Sequence, residues 1–161
     1  PAAAHRPRVF SIEGLNPLVL GGHWIPDLLE LAGGNQDLLP SGSAAKRLEW
    51  GEIHDYNPDK LFVDLCSSDL ARNLREVPWL ESQEGWRDMT CVQNGEVYLI
   101  DHSYFSRPGP RTIEGLEILA QLTHPDLFNG LVPRNAVVKL DVQRYAGRPD
   151  GEISDCFSPY H

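Results

Sequence analysis

Three residues in this sequence carry side chains suited to nucleophilic or metal chemistry and stand beside turn-forming stretches: His23, Cys66 and His102. Cys66 closes the apolar run from Lys60 to Leu65 and precedes Ser67, Ser68 and Asp69. A helix starting there would lower its thiol pKa and favour the thiolate. That placement resembles a nucleophile elbow, but Leu65 and Ser67 stand where GxSxG needs its flanks, and no base is assigned by spacing. A loop or packing thiol is the competing reading. His23 and His102 stand singly, without the HxxxH or HxH spacing that brings two imidazoles to one ion, so no metal site is expected. A contact from His23 or Tyr104 to a haem iron is the other metal-related reading. Gly21-Gly22 and Gly33-Gly34 build neither GxGxxG nor a Walker loop, which leaves nucleotide binding without support. The sequence is not read as an enzyme, and no cofactor is assigned.

What remains is a surface for non-covalent binding. Three loops, Gly14–Trp24, Cys66–Asp69 and His102–Arg111, supply His23, Trp24, Cys66, Ser67, Ser68, Tyr104, Phe105, Arg107 and Arg111. An aromatic-rich set with a few donors suits a bulky, partly flat ligand. Arg107 and Arg111 bracket Pro108-Gly109-Pro110, whose fixed φ angles make a rigid presenting loop. Arg111 either caps carbonyls or pairs with an acid, or else it forms part of a preorganised ligand wall. Trp50, Trp79 and Trp86 sit beside helical stretches and read as packing residues.

These loops must be held by alternating strands and helices. Arg8–Glu13 alternates apolar and polar residues as a strand does, and Lys60–Leu65 is a compact apolar run suited to a buried parallel strand. Trp24–Ala32 has a helical apolar spacing, Pro26 in its first turn and Gly33-Gly34 behind it. Shorter helices are expected at Glu49–Tyr56, stopped by Asn57-Pro58, and at Asp69–Glu76, capped by Ser67 or Ser68. Asn94-Gly95 between Met89–Gln93 and Glu96–Asp101 predicts a hairpin with a type I′ turn. A last helix runs from about Thr112 to Leu122, ended by His124-Pro125. This order predicts an α/β fold: a three-layer open, mainly parallel sheet with helices on both faces. In such sheets ligands sit outside the carboxyl ends of the strands, where the three loops fall.

Composition fits a globular domain. The chain has 161 residues, 41% hydrophobic and 23% charged. That length suits one domain of roughly 100–200 residues. No apolar run approaches the roughly 18 residues of a transmembrane helix. The net charge of −9 has the wrong sign for a nucleic-acid partner. Residues 49–100 hold 11 acids and 4 bases, so the acidity is banded. The band is either a solvated face or a surface that steers onto a basic partner. Three cysteines without a CxxC do not make a disulfide framework and leave the redox compartment open. The start, PAAAHRPRV, lacks the regions of a signal peptide and runs at once into a strand, as the second half of a longer protein would.

Three segments together resemble a known family. Gly21-Gly22-His23-Trp24-Ile25-Pro26-Asp27-Leu28-Leu29 through Ala32-Gly33-Gly34 resembles the GHWxPEL…AGG stretch of periplasmic substrate-binding proteins of class III, the cobalamin- and siderophore-binding type. Asn57-Pro58-Asp59 leading to Cys66 resembles their dPDvIvvapC strand. Ser106-Arg107-Pro108-Gly109-Pro110-Arg111, with Gly115-Leu116-Glu117 and His124-Pro125, resembles their sRPGPRl…gle…lHP ending. The resemblance covers about residues 7–128 and only the C-terminal lobe of a two-lobe receptor, so it implies a missing N-terminal lobe. Residues 129–161 lie outside it, as an extension of unknown role in which Ala136–Val142 could form a strand.

The resemblance implies non-enzymatic solute binding for an ABC importer, in the periplasm or at the cell surface. The implied ligand is a corrinoid (cobalamin-like) or a similar bulky chelate such as haem or a ferric siderophore. It also implies a permease partner met by a glutamate at the tip of the lobe. That position is Gly51 here, and Glu49 and Glu52 flank it as candidates for docking. Cys66 is followed by Ser67-Ser68 rather than the family's Gly-aromatic pair. A repurposed interaction or regulatory domain, keeping the fold without transport, is the alternative.

Overall fold

The computed structural model describes residues 5–22, 24–38, 46–66, 68–105, 110–149 and 152–161. Its seven strands are β1 (Val9–Leu15), β2 (Leu18–Leu20), β3 (Lys46–Arg47), β4 (Lys60–Val63), β5 (Val97–Ile100), β6 (Val137–Leu140) and β7 (Phe157–Tyr160). They form one sheet in the order β3-β2-β1-β4-β5-β6-β7. β1, β4 and β5 are parallel, while β2, β3, β6 and β7 pair antiparallel on either side. The expected parallel sheet is therefore the centre of a mixed one.

Alternation along the central strands builds two cores. Phe10, Ile12, Leu61, Val63, Val97 and Leu99 face one side and Val9, Phe62, Tyr98 and Ile100 the other. The first face is covered by α2 (Trp50–Tyr56), α3 (Leu70–Glu76), α4 (Pro78–Glu81) and α5 (Thr90–Gln93). The second is covered by α1 (Ile25–Leu31) and α6 (Pro110–Thr123), which pack on each other. Burial on both faces explains why β4 and β5 read as continuous apolar runs.

Local signals account for most element ends. Pro26 occupies the first turn of α1, and Gly33 takes φ +91° behind it. Asn57 ends α2 in the left-handed region at φ +48°, followed by Pro58. Two expectations are corrected. Asn94-Gly95 does not turn a hairpin. Thr90–Gln93 is helical, Gly95 (φ +68°) donates to Val92 O at 3.2 Å and Glu96 to Cys91 O at 2.7 Å, which is a Schellman cap. The left-handed residue that a type I′ turn needs serves a helix end equally well. Asp69, rather than the serines, caps α3, its carboxylate accepting from Arg72 N–H at 2.9 Å.

The segment after α6 adds to the same sheet. β6 pairs with β5 and β7 with β6, and α7 (Val142–Tyr145) packs beside them.

Candidate functional site

A cavity of about 590 Å³ opens where β1 and β4 end. Its wall on the β1 side is the turn from Gly14 to Pro17, with Val19 of β2 behind it, and the Asn16–Pro17 peptide there is cis. Leu65 and Cys66 line it from the β4 side. Asp64 N–H donates to Ile12 O at 3.0 Å and Cys66 N–H to Glu13 O at 2.9 Å. These bonds carry the β1–β4 ladder past the strand end and hold Cys66 at the cavity. Arg72, Arg75 and Glu76 of α3 and Trp79 of α4 complete the lining. The cavity thus has one aromatic face, two guanidinium groups, two carboxylates (Glu13 and Glu76) and an exposed thiol.

The binding residues expected from sequence fall into three groups. Cys66 lies in the cavity and is exposed. Trp24 precedes α1 as its N-cap and packs, half-buried, against the second core. Tyr104 and Phe105 are buried in that same core, 8% and 4% exposed, rather than on the cavity wall. Phe105 lies so close to α6 that a β-carbon on Gly115 would sit 2.8 Å from its Cε1. His23, Ser67 and Arg107 lie outside the described residues, and of Arg111 only its place in the first turn of α6 is described. Arg72, Arg75 and Trp79 were not in the expected set. Their signal was present, since Arg72, Arg75, Glu76 and Trp79 have helical i, i+3, i+4, i+7 spacing just beyond the Cys66 loop. Trp79 packs on the first core, as a packing residue should, and also lines the cavity.

Toward the ends of the parallel strands lies a polar cluster. Asp64, 1% exposed, accepts from Ser11 Oγ–H at 2.8 Å and faces His102. Burial pushes the Asp64 carboxyl up, and the Asp64 carboxylate beside it lifts the His102 imidazole above its ordinary 6.5. His102 is therefore a structural partner of a carboxylate. Among the described residues no group of three or more metal-ligating side chains exists. The other two thiols are buried, and burial pushes Cys91 up to about 12, which keeps it protonated.

Glu49 and Glu52 are exposed at the start of α2, with Glu49 N–H donating to Glu52 Oε2 at 2.9 Å in a capping box. Gly51 lies between them, exposed, and beyond its chain neighbours and its own helix backbone nothing lies within 4 Å of where a β-carbon would stand.

Residues 9–104, from β1 through β5 to the turn after it, match the family model of the periplasmic binding proteins. The chain belongs to that family. An uncharacterised ABC transporter substrate-binding lipoprotein of Bacillus subtilis (strain 168), YvrC, is 41% identical over 86 residues, 53% of this chain and 26% of its own length. The periplasmic vitamin B12 binding protein BtuF of Vibrio cholerae superposes with a TM-score of 0.60 at 18% identity, over 80% of this chain and 48% of that one. A periplasmic heme binding protein of Pseudomonas aeruginosa superposes with 0.61 at 19% identity, over 77% and 46%. At those identities the two structures share the fold. The chain spans about a quarter of the curated relative's length and under half of each of these two structures. Membership places it among substrate-binding proteins of the periplasm or cell surface, which are not enzymes. No helix among the described residues is long and apolar enough to cross a membrane.

Proposed function

We propose that this chain is the C-terminal lobe of an ABC importer's solute receptor, and that its ligand is a bulky chelate of the corrinoid, haem or ferric-siderophore class. The observation that carries the reading is the position of the cavity: it opens at the carboxyl ends of β1 and β4, inside the stretch that matches the family. Trp79 offers a flat apolar face there, and Arg72 and Arg75 offer donors for the carboxylate or amide periphery of such a ligand. Relatives in fold carry vitamin B12 and heme in their names, which supports the class and leaves the member open. One lobe buries less of the ligand than two walls would, so binding by this chain alone is weak. A permease is the implied partner.

Native mass spectrometry with cobalamin, cobinamide, haem and a ferric siderophore tests the reading. The expected result is an adduct with one class that is lost in Trp79→Ala. No adduct with any of the four, or one indifferent to Trp79→Ala, overturns it. The alternative reading, an interaction domain that keeps the fold without transport, is favoured by one observation. Gly51 stands at the docking position, and its flanking acids are engaged in capping α2. That reading predicts no adduct with any probe.

A further inference from the structure

We infer that Ser11, Asp64 and His102 form a proton-controlled tie that sets the position of the cavity wall carrying Cys66. The three residues come from the three adjacent parallel strands: Ser11 from within β1, Asp64 from just past β4 and His102 from just past β5. Ser11 Oγ–H donates to Asp64 Oδ1 at 2.8 Å. His102 Nδ1 lies 3.0 Å from the carbonyl oxygen of Asp64 and 3.7 Å from its Oδ2. Oδ2 is buried and has no hydrogen-bond partner among the described residues.

Two of these residues also hold neighbouring loops through their backbones. Ser11 O accepts from Gly21 N–H at 3.1 Å, and His102 N–H donates to Ser68 O at 3.2 Å. Ser68 and Asp64 flank Leu65 and Cys66, so a shift of the His102 turn is felt at the cavity wall.

A carboxylate buried this deeply needs a proton or a cation beside it. His102 supplies it. The charged groups acting on His102 are Asp64, from the end of β4, and Glu13, from β1, which also lines the cavity. Both members of the pair hold protons more tightly than they do in water: Asp64 through burial, His102 through the Asp64 carboxylate beside it. The pair behaves as one unit, and its last proton leaves above the 6.5 of an ordinary histidine. Once it leaves, a carboxylate is buried against a neutral ring. The relief that disturbs the cores least is to part the His102 turn from the Ser68 loop and let water reach Oδ2. The wall is then closed when the pair is protonated and loosened when it is not. The device is independent of which ligand the cavity takes.

The experiment uses the exposed thiol as its probe. Cys66 is labelled with a trifluoroethyl disulfide, the other two cysteines being buried. Fluorine NMR and the His102 ring resonance are then tracked from about pH 5 to about pH 9. The expected result is a fluorine shift that titrates with the midpoint of His102, above its ordinary 6.5. The step should vanish in His102→Gln and Asp64→Asn, and Glu13→Gln should lower its midpoint. A flat fluorine titration overturns the proposal, as does a midpoint distinct from that of His102 or a step surviving in folded His102→Gln. The wild-type midpoints decide the matter even if neither substituted protein folds. Because no solute is added, failure here leaves the solute-binding reading untouched, and failure there leaves this one untouched.

Discussion

Tyr145 donates its phenolic hydrogen to the buried Glu81 carboxylate at 2.5 Å and accepts from Trp86 Nε1–H at 3.1 Å. Arg87 reaches the same carboxylate at 3.0 Å while its guanidinium lies 4.2 Å from the centre of the Tyr145 ring. A residue from beyond the family-matched stretch thus completes a network rooted inside it. Tyr145→Phe keeps the ring and removes the hydroxyl. It should destabilise the fold by about 1–3 kcal/mol, the cost of leaving buried polar groups short of a partner. Urea unfolding checks this, and an unchanged midpoint would contradict it.

Gly115 gives α6 its close approach to the β5 turn. An added methyl would lie 2.8 Å from both Phe105 Cε1 and Tyr104 O, the second a backbone atom that cannot rotate away. Gly115→Ala should cost about 1–3 kcal/mol through overpacking, despite the better helix propensity of alanine. A thermal melt at unchanged or raised temperature would show that α6 has slack.

The titration of the buried pair predicts how stability varies with pH. His102 is raised from 6.5 by the neighbouring Asp64 carboxylate, and Asp64 is raised by burial, so the folded protein binds more protons than the unfolded chain. The contribution of His102 is present in full below 6.5 and is lost as pH rises through its folded value. In that window the unfolding free energy should fall by about 1.4 kcal/mol per pH unit at most. Denaturant melts across the window check the slope, and Asp64→Asn should flatten it.

Gly51 invites substitution. It occupies the first turn of α2, is exposed and has open space where a side chain would go. Gly51→Glu should be folded and more stable by about 0.5–1 kcal/mol, from helix propensity and a favourable charge at a helix N-terminus. Loss of stability instead would mean that repulsion from Glu49 and Glu52 dominates.

The elements most legible in the sequence were those written in local chemistry. Pro26 and Gly33-Gly34 delimit α1, and Asn57-Pro58 ends α2, because each acts within one or two residues. Asn94-Gly95 misled for the same reason: it specifies a left-handed residue without specifying the elements on either side, and the helical bonds of Thr90–Gln93 decided the outcome. Tyr104 and Phe105 stand in a loop at a strand end, where aromatics often meet ligands. Their fate was set by a glycine on α6, which no local pattern reveals. Trp79 was readable from its helical spacing to Arg72, Arg75 and Glu76, had the α3–α4 segment been aimed at the strand ends. The tie among Ser11, Asp64 and His102 was not readable at all, since only the register of β1, β4 and β5 brings those residues together.

That register also governs when the cavity forms. The partners of Asp64 lie 53 and 38 residues away in sequence. Contacts so distant close large loops before any packing rewards them, and they form slowly compared with the helices. The cavity therefore requires the aligned strands, and is absent from any species in which α1 and α6 have coiled but β1, β4 and β5 have not yet aligned. A solute that fits it selects only finished molecules, so occupancy reports complete folding, and protection from proteases by a ligand begins only when the last of these strands has found its place.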